Sequence, residues 1–258
     1  MPENSFAVNK ETCVQCGECA ADCVCEIIRM DGYPFIETRD LDKCIRCGHC
    51  QAICPTESIT LNGINNAELE KASAPSAVGI IETVIKNRRS LRRFYQEPVD
   101  KNLLVRAIEI AAWAPAARNI RDIGFVIFNG REKVERLMSA CADIMEKRGI
   151  IPDVAAAIRD GKDRLFRGAP CVLAIYAADR PFAASDCAST LAAIELSLPS
   201  LGLASCWAGY FTAICGVETP AEINLPKGKK IFGGLMIGRP KVRYRRIPAR
   251  PTPPIAWI

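Results

Sequence analysis

Two runs of four cysteines, 31 residues apart, constrain this chain more than any other feature. Cys13, Cys16, Cys19 and Cys23 set a C-x2-C-x2-C-x3-C spacing; Cys44, Cys47, Cys50 and Cys54 repeat it, and Pro55 closes the second run. The flanks repeat as well, with Glu26-Ile27-Ile28 in the place of Glu57-Ser58-Ile59. Of 14 cysteines in 258 residues, nine lie between positions 13 and 54. Met1 to Lys10 carry no apolar stretch of the kind a secretory leader needs, so the chain is expected in the cytoplasm. That compartment is reducing, which argues against a disulfide framework and for metal ligation. Residues 1–64 hold 5 Lys and Arg against 10 Asp and Glu, and the remainder holds 29 against 19. An acidic, cysteine-dense module is therefore joined to a basic one.

Residues 6–62 resemble the bacterial two-cluster ferredoxins over their whole length. In that arrangement three thiolates of a run wrap one iron–sulfur cubane, while the fourth, displaced cysteine ligates the other. The resemblance implies Cys13, Cys16, Cys19 and Cys54 for one 4Fe–4S cluster and Cys44, Cys47, Cys50 and Cys23 for a second. Structural zinc sites use paired knuckles rather than two duplicated four-cysteine runs. The first run lacks the closing proline and continues Val24-Cys25, so Cys25 rivals Cys23 as ligand; the three-residue gap favours Cys23. The one histidine, His49, leaves no material for a His-based triad and is expected on the surface near the second cluster. Met30-Asp31-Gly32-Tyr33 signals a hairpin.

The domain reading is 1–63 for the ferredoxin-like part, a polar linker over 64–79, and a second domain over 80–258. A helix from Gly79 to Lys86 ends in Arg88-Arg89-Ser90-Leu91-Arg92-Arg93-Phe94. Spaced guanidinium forks with a hydroxyl suit a phosphate monoester. Asp100 is placed to cap a helix whose face carries Leu103, Leu104, Ala107, Ile108 and Ala111. Strands are expected over Gly124–Phe128 and Pro170–Tyr176, and helices over Val134–Met145 and Asp186–Leu198.

The basic run, the loop Ala114-Pro115-Ala116-Ala117-Arg118-Asn119 and the stretch Leu201 to Gly209 together resemble the nitroreductase family, FMN enzymes that work as homodimers. The resemblance implies an α+β chain, with a central mixed, mostly antiparallel sheet flanked by helices in its second domain. It implies FMN contacts from Arg88, Arg89, Ser90, Arg92, Pro115, Ala116, Asn119, Ala208 and Gly209, and from Arg246 near the end. Three positions depart from the family's loop: Ala116 for serine, Arg121 for glutamine and Asp122 for proline. Arg121 is a candidate for substrate or partner preference. Cys206 reads as a buried, inert thiol.

The implied activity is an oxidoreductase. Electrons would come from a ferredoxin or NAD(P)H, cross two clusters to FMN, and reach a small oxidised substrate such as a nitroaromatic or quinone. The alternative is an electron-carrier or redox-sensing module serving a protein partner. No side chain is singled out as catalytic. The nine basic residues between Lys227 and Arg250 come without a recognition motif, so nucleic acid is not an expected partner. No apolar run reaches the ~18 residues of a membrane span.

Overall fold

The computed structural model describes residues 4–23, 25–69, 78–242 and 252–258, and its contacts divide the chain into two units. The first holds residues 1–76 together with Arg118–Ile120; the second holds the rest.

In the first unit the duplication is visible in the backbone. Its elements are β1 (Phe6–Val8), α1 (Glu18–Ala21), β2 (Ile28–Asp31), β3 (Tyr33–Ile36), α2 (His49–Ala52), β4 (Ile59–Leu61) and β5 (Ile64–Asn65). β1, β4 and β5 form one antiparallel sheet, with Phe6 opposite Leu61, while β2 and β3 form the expected hairpin about Gly32. Gly17 and Gly48 start the two short helices at φ 77° and 75°, a left-handed conformation that glycine takes without steric cost. Gln15 and Arg46, also 31 apart, pay that cost, at φ 56° and 55°. The small core is Cys19, Ile27, Ile28, Cys50, Ile59 and Leu61. Of the expected linker, Ile64–Asn65 pair with β4 and residues 70–77 lie outside the described set.

The second unit runs α3 (Val78–Asn87), α4 (Lys101–Ala111), β6 (Gly124–Asn129), α5 (Arg131–Arg148), α6 (Pro152–Arg159), β7 (Cys171–Ala178), α7 (Ala183–Ser197), β8 (Ala204–Trp207), α8 (Gly209–Val217) and β9 (Lys229–Gly238). Four strands pair antiparallel in the order β6-β7-β9-β8. The pleat of β7 sorts its side chains by period two. Cys171, Leu173, Ile175 and Ala177 face the core shared with α4 and α7, and Val172 and Ala174 face the one shared with α5, α6 and α8. Fully burying Phe94, Phe166 and Phe211 contributes about 1.5–3 kcal/mol each. Asp100 caps α4 as expected, its carboxylate accepting the Asn102 N–H at 2.8 Å.

α7 buries Ala183, Cys187, Leu191 and Ile194 on one face and leaves Ala184, Ser185 and Ala188 exposed. At the end of β9, a Cβ on Gly238 would lie 2.9 Å from both Phe94 and Pro170, so only glycine lets the strand close against Phe94. That contact anchors the arginine run. Its backbone is tied down by Leu91 N–H to Ser205, Lys241 N–H to the Arg93 carbonyl, and Tyr95 N–H to Arg239.

Candidate functional site

Two cavities in the first unit divide eight repeat cysteines between them. Cys13, Cys16, Cys19 and Cys54 line the first, with Thr56 and Ile59. Cys23, Cys44, Cys47 and Cys50 line the second, together with Cys25 and His49. Each run thus sends its fourth cysteine to the other run's cavity. Exposure repeats too: Cys16 and Cys47 are exposed, Cys19 and Cys50 buried.

Burial pushes Cys50 up to about 12, and the Cys44 and Cys47 thiols add to it. Burial likewise raises Cys44, with smaller contributions from Cys47, Cys25 and Cys23. Cys54 goes the other way. Burial works against its thiolate, but N–H and hydroxyl groups of Ser58 and Thr56 outweigh it and hold the thiol below its ordinary value. The Ser58 N–H lies 3.3 Å and the Thr56 hydroxyl 3.9 Å from its sulfur.

Among the described residues no three His, Cys, Asp or Glu gather as ligands of one metal ion. The eight repeat thiols are divided four and four between the two cavities, the number that a 4Fe–4S cluster takes. His49 is exposed and faces Asp22, Nδ1 to Oδ2 3.4 Å.

In the second unit a cavity of about 520 Å³ is lined by Arg88 and Arg89, with Asn87, Glu195, Ser205 and Pro240 at its wall. Arg88 Nη1 sits 3.3 Å from Glu195 Oε1. The other oxygen of this buried carboxylate accepts the Trp207 indole N–H at 3.0 Å. Arg89 donates through Nη1 to the Arg88 carbonyl at 2.6 Å, and its buried Nε–H has no partner among the described residues. A buried donor left unmatched costs about 1–3 kcal/mol. Ser90 and Arg92 do not line this cavity; Arg92 Nη1 turns to the Ser90 carbonyl at 3.3 Å.

Ala208 lies between β8 and α8, and Gly209 opens α8 with nothing within 4 Å of a Cβ built on it. Packing therefore does not demand this glycine. Ala116 lines a separate apolar cavity of about 160 Å³ with Arg121, Phe125 and Thr190. The Pro115 carbonyl accepts the Ser189 hydroxyl at 3.2 Å. Asn119 falls in the segment grouped with the first unit, where its amide donates to the carbonyls of Ile45 and Arg46 at 2.9 and 3.1 Å. Arg121 donates to the Ala112 and Ala114 carbonyls at 2.6 and 3.2 Å. Cys206 is buried and its thiol is raised by burial, as an inert thiol should be. Arg246 lies outside the described residues.

Sequence reasoning passed over two carboxylates. Glu195 and Asp186 are the acidic residues of the otherwise small and apolar α7, and that isolation was the available signal. Asp122, noted only as a departure from proline, is a hub. Its oxygens meet Arg180 at 2.8 Å, the Ala178 N–H at 3.1 Å and Lys229 at 3.3 Å. Burial opposes its charge, but the Arg180 bond and its companions prevail and hold the carboxyl at about 2. Arg180 also pairs with Asp186 at 2.8 Å, and Asp186 accepts the Ala117 N–H at 2.9 Å, which ties down the Pro115–Ala117 loop.

Comparison with known proteins bears on both units. Residues 85–239 match the nitroreductase family and residues 37–60 the 4Fe–4S binding domain. A Methanothermobacter thermautotrophicus protein, named as a candidate NADH dehydrogenase/NAD(P)H nitroreductase, is 25% identical over 166 residues, 64% of this chain and 79% of its own length. A Bacteroides fragilis nitroreductase with bound FMN superposes with TM-score 0.56 at 21% identity, covering 68% of this chain and 98% of the other. A Desulfitobacterium hafniense nitroreductase with bound FMN gives 0.55 at 23%, covering 66% and 93%. These two share the fold. No helix among the described residues is long and apolar enough to cross a membrane.

Proposed function

Because the chain belongs to the nitroreductase family and carries an N-terminal 4Fe–4S binding domain, we propose that it is an FMN- and iron–sulfur-dependent oxidoreductase. Its donor is a reduced ferredoxin or NAD(P)H, and its acceptor is a small oxidised molecule such as a nitroaromatic or a quinone. The observation that carries the reading is the presence, on one chain, of two cavities each ringed by repeat thiols and a third walled by arginines. The clusters supply one-electron transfer, and FMN takes electrons singly and delivers them in pairs.

The residues fit these groups. Cys13, Cys16, Cys19 and Cys54 would hold one cluster, and Cys44, Cys47, Cys50 and Cys23 the other. Arg88 and Arg89, which line the cavity, would take the FMN phosphate, and Ser90, Arg92 and Arg246 are assigned to it by resemblance to the family. The open space at exposed Gly209 leaves its backbone accessible to a flat ring, and buried Ala208 is assigned to the flavin by resemblance to the family. Pro115, Ala116 and Asn119 are assigned to the flavin by resemblance to the family. The exposed small-residue face of α7 supports a homodimer, to be checked by sedimentation.

Anaerobic stopped-flow with reduced ferredoxin, NADH and NADPH in turn, read as flavin bleaching, tests the reading. One donor should bleach the flavin within turnover time, and a nitroaromatic or quinone should restore it. A protein purified without flavin, or one whose flavin no donor reduces, would overturn it.

A further inference from the structure

The second thiol cavity holds one ligand too many. Four sulfurs complete a four-iron cluster, and the first cavity has four: Cys13, Cys16, Cys19 and Cys54. The second has five, because Cys25 lines it beside Cys23, Cys44, Cys47 and Cys50. The duplication shows what position 25 is. Thirty-one residues on stands Thr56, whose hydroxyl lies 3.9 Å from the sulfur of Cys54, the crossing cysteine of the first cavity. The backbone matches as well: Glu26 N–H bonds to the Cys23 carbonyl as Glu57 N–H does to that of Cys54, and Glu26 and Glu57 share a φ of 54°. Cys25 therefore puts a thiol where the other repeat puts a hydroxyl within reach of the crossing sulfur.

We propose that Cys25 is an exchangeable fifth ligand of the second iron–sulfur site, able to hold the iron otherwise held by Cys23. The exchange breaks one Fe–S bond and forms another. The proton leaving the Cys25 thiol ends on Cys23, and the electron count does not change. The inference rests on the two-cluster reading above.

Anaerobically reconstituted full-length protein is assayed for iron and acid-labile sulfide, and by low-temperature EPR after dithionite reduction. The wild type should carry about eight irons per chain; a value near four would defeat the two-cluster reading itself. Given eight, Cys23→Ala should retain about eight with an altered EPR spectrum, and Cys25→Ala should retain eight with the spectrum unchanged. The double variant should fall to about four. Loss of four irons in Cys23→Ala alone would overturn the exchange. Loss in Cys25→Ala alone would overturn it too, by making Cys25 the sole ligand. A transplant guards against a folding artefact: Cys54→Ala should lose about four irons, and adding Thr56→Cys should restore them. Failure of that restoration, with circular dichroism unchanged, would also count against the proposal.

Discussion

The thiol cavities and the arginine cavity are built in opposite ways. Each thiol set comes from one short loop plus cysteine from the other run, Cys54 for the first cavity and Cys23 with Cys25 for the second, so its geometry is written largely in local spacing and then copied. The arginine cavity draws on residues 87–89, Leu91, Glu195, residues 202–205, Pro240 and Val242, which meet only because β8 and β9 are neighbours and Gly238 lets β9 close on Phe94. The first kind of site tolerates error elsewhere in the chain; the second depends on the whole sheet. Substitutions should separate the two.

The largest effect belongs to the local site. Cys19→Ala removes a thiol from a cavity with no spare, and iron should fall from about eight to about four per chain while bound flavin stays constant. Equal loss of flavin would show that the units are not independent. Next comes the distributed framework. Asp122→Ala leaves Arg180 and Lys229 without their shared carboxylate and should cost about 3 kcal/mol in urea unfolding of the second unit, with iron unchanged. Because the folded carboxyl sits at about 2 against an ordinary 3.8, its contribution is complete above about pH 4 and disappears as pH falls towards 2. Wild-type and Asp122→Ala stabilities should therefore converge in that window, and a constant gap would sink the assignment.

Smaller again, Arg89→Ala should weaken FMN by roughly 10- to 150-fold, the loss of a charge-assisted bond of ~1.5–3 kcal/mol. Arg88→Ala should cost about fivefold, since Glu195 already engages its guanidinium. Equilibrium fluorescence titration ranks them, and the reverse order would return the main role to Arg88. Arg93→Ala, whose side chain is exposed and outside the cavity, should change affinity by less than about threefold. A loss as large as that of Arg89 would make the run a diffuse basic surface.

What the sequence disclosed follows the same division. The hairpin at Gly32 was legible from a turn residue, whereas the division of the thiols between two cavities came from the resemblance to the ferredoxins and not from spacing alone. The Asp100 cap was legible too. α5 runs Arg131–Arg148, beyond the expected Val134–Met145, because its ends are charged turns outside the apolar stripe. α6 was not expected within 149–168; its burial of Val154, Ala155 and Ala157 against α5 appears only once the chain has folded. α8, nearly uniform in hydropathy, gave no period to read. Glu195 stood out only as an acid in a small, apolar helix, and its role was hidden because its partners, Arg88 and Trp207, are 107 and 12 residues away.

The bond from the Trp207 indole to Glu195 gives the protein an optical handle on the arginine cavity. Trp113 and Trp257 are 85% and 91% exposed and must emit as indoles in water, whereas Trp207 is 37% exposed with its N–H held by a buried carboxylate. The blue side of the emission band thus belongs to one residue, two bonds from Arg88. Inorganic phosphate, which neither absorbs nor transfers energy at those wavelengths, would draw Arg88 away from Glu195 and shift that component, so anion occupancy could be followed in flavin-free protein by colour alone.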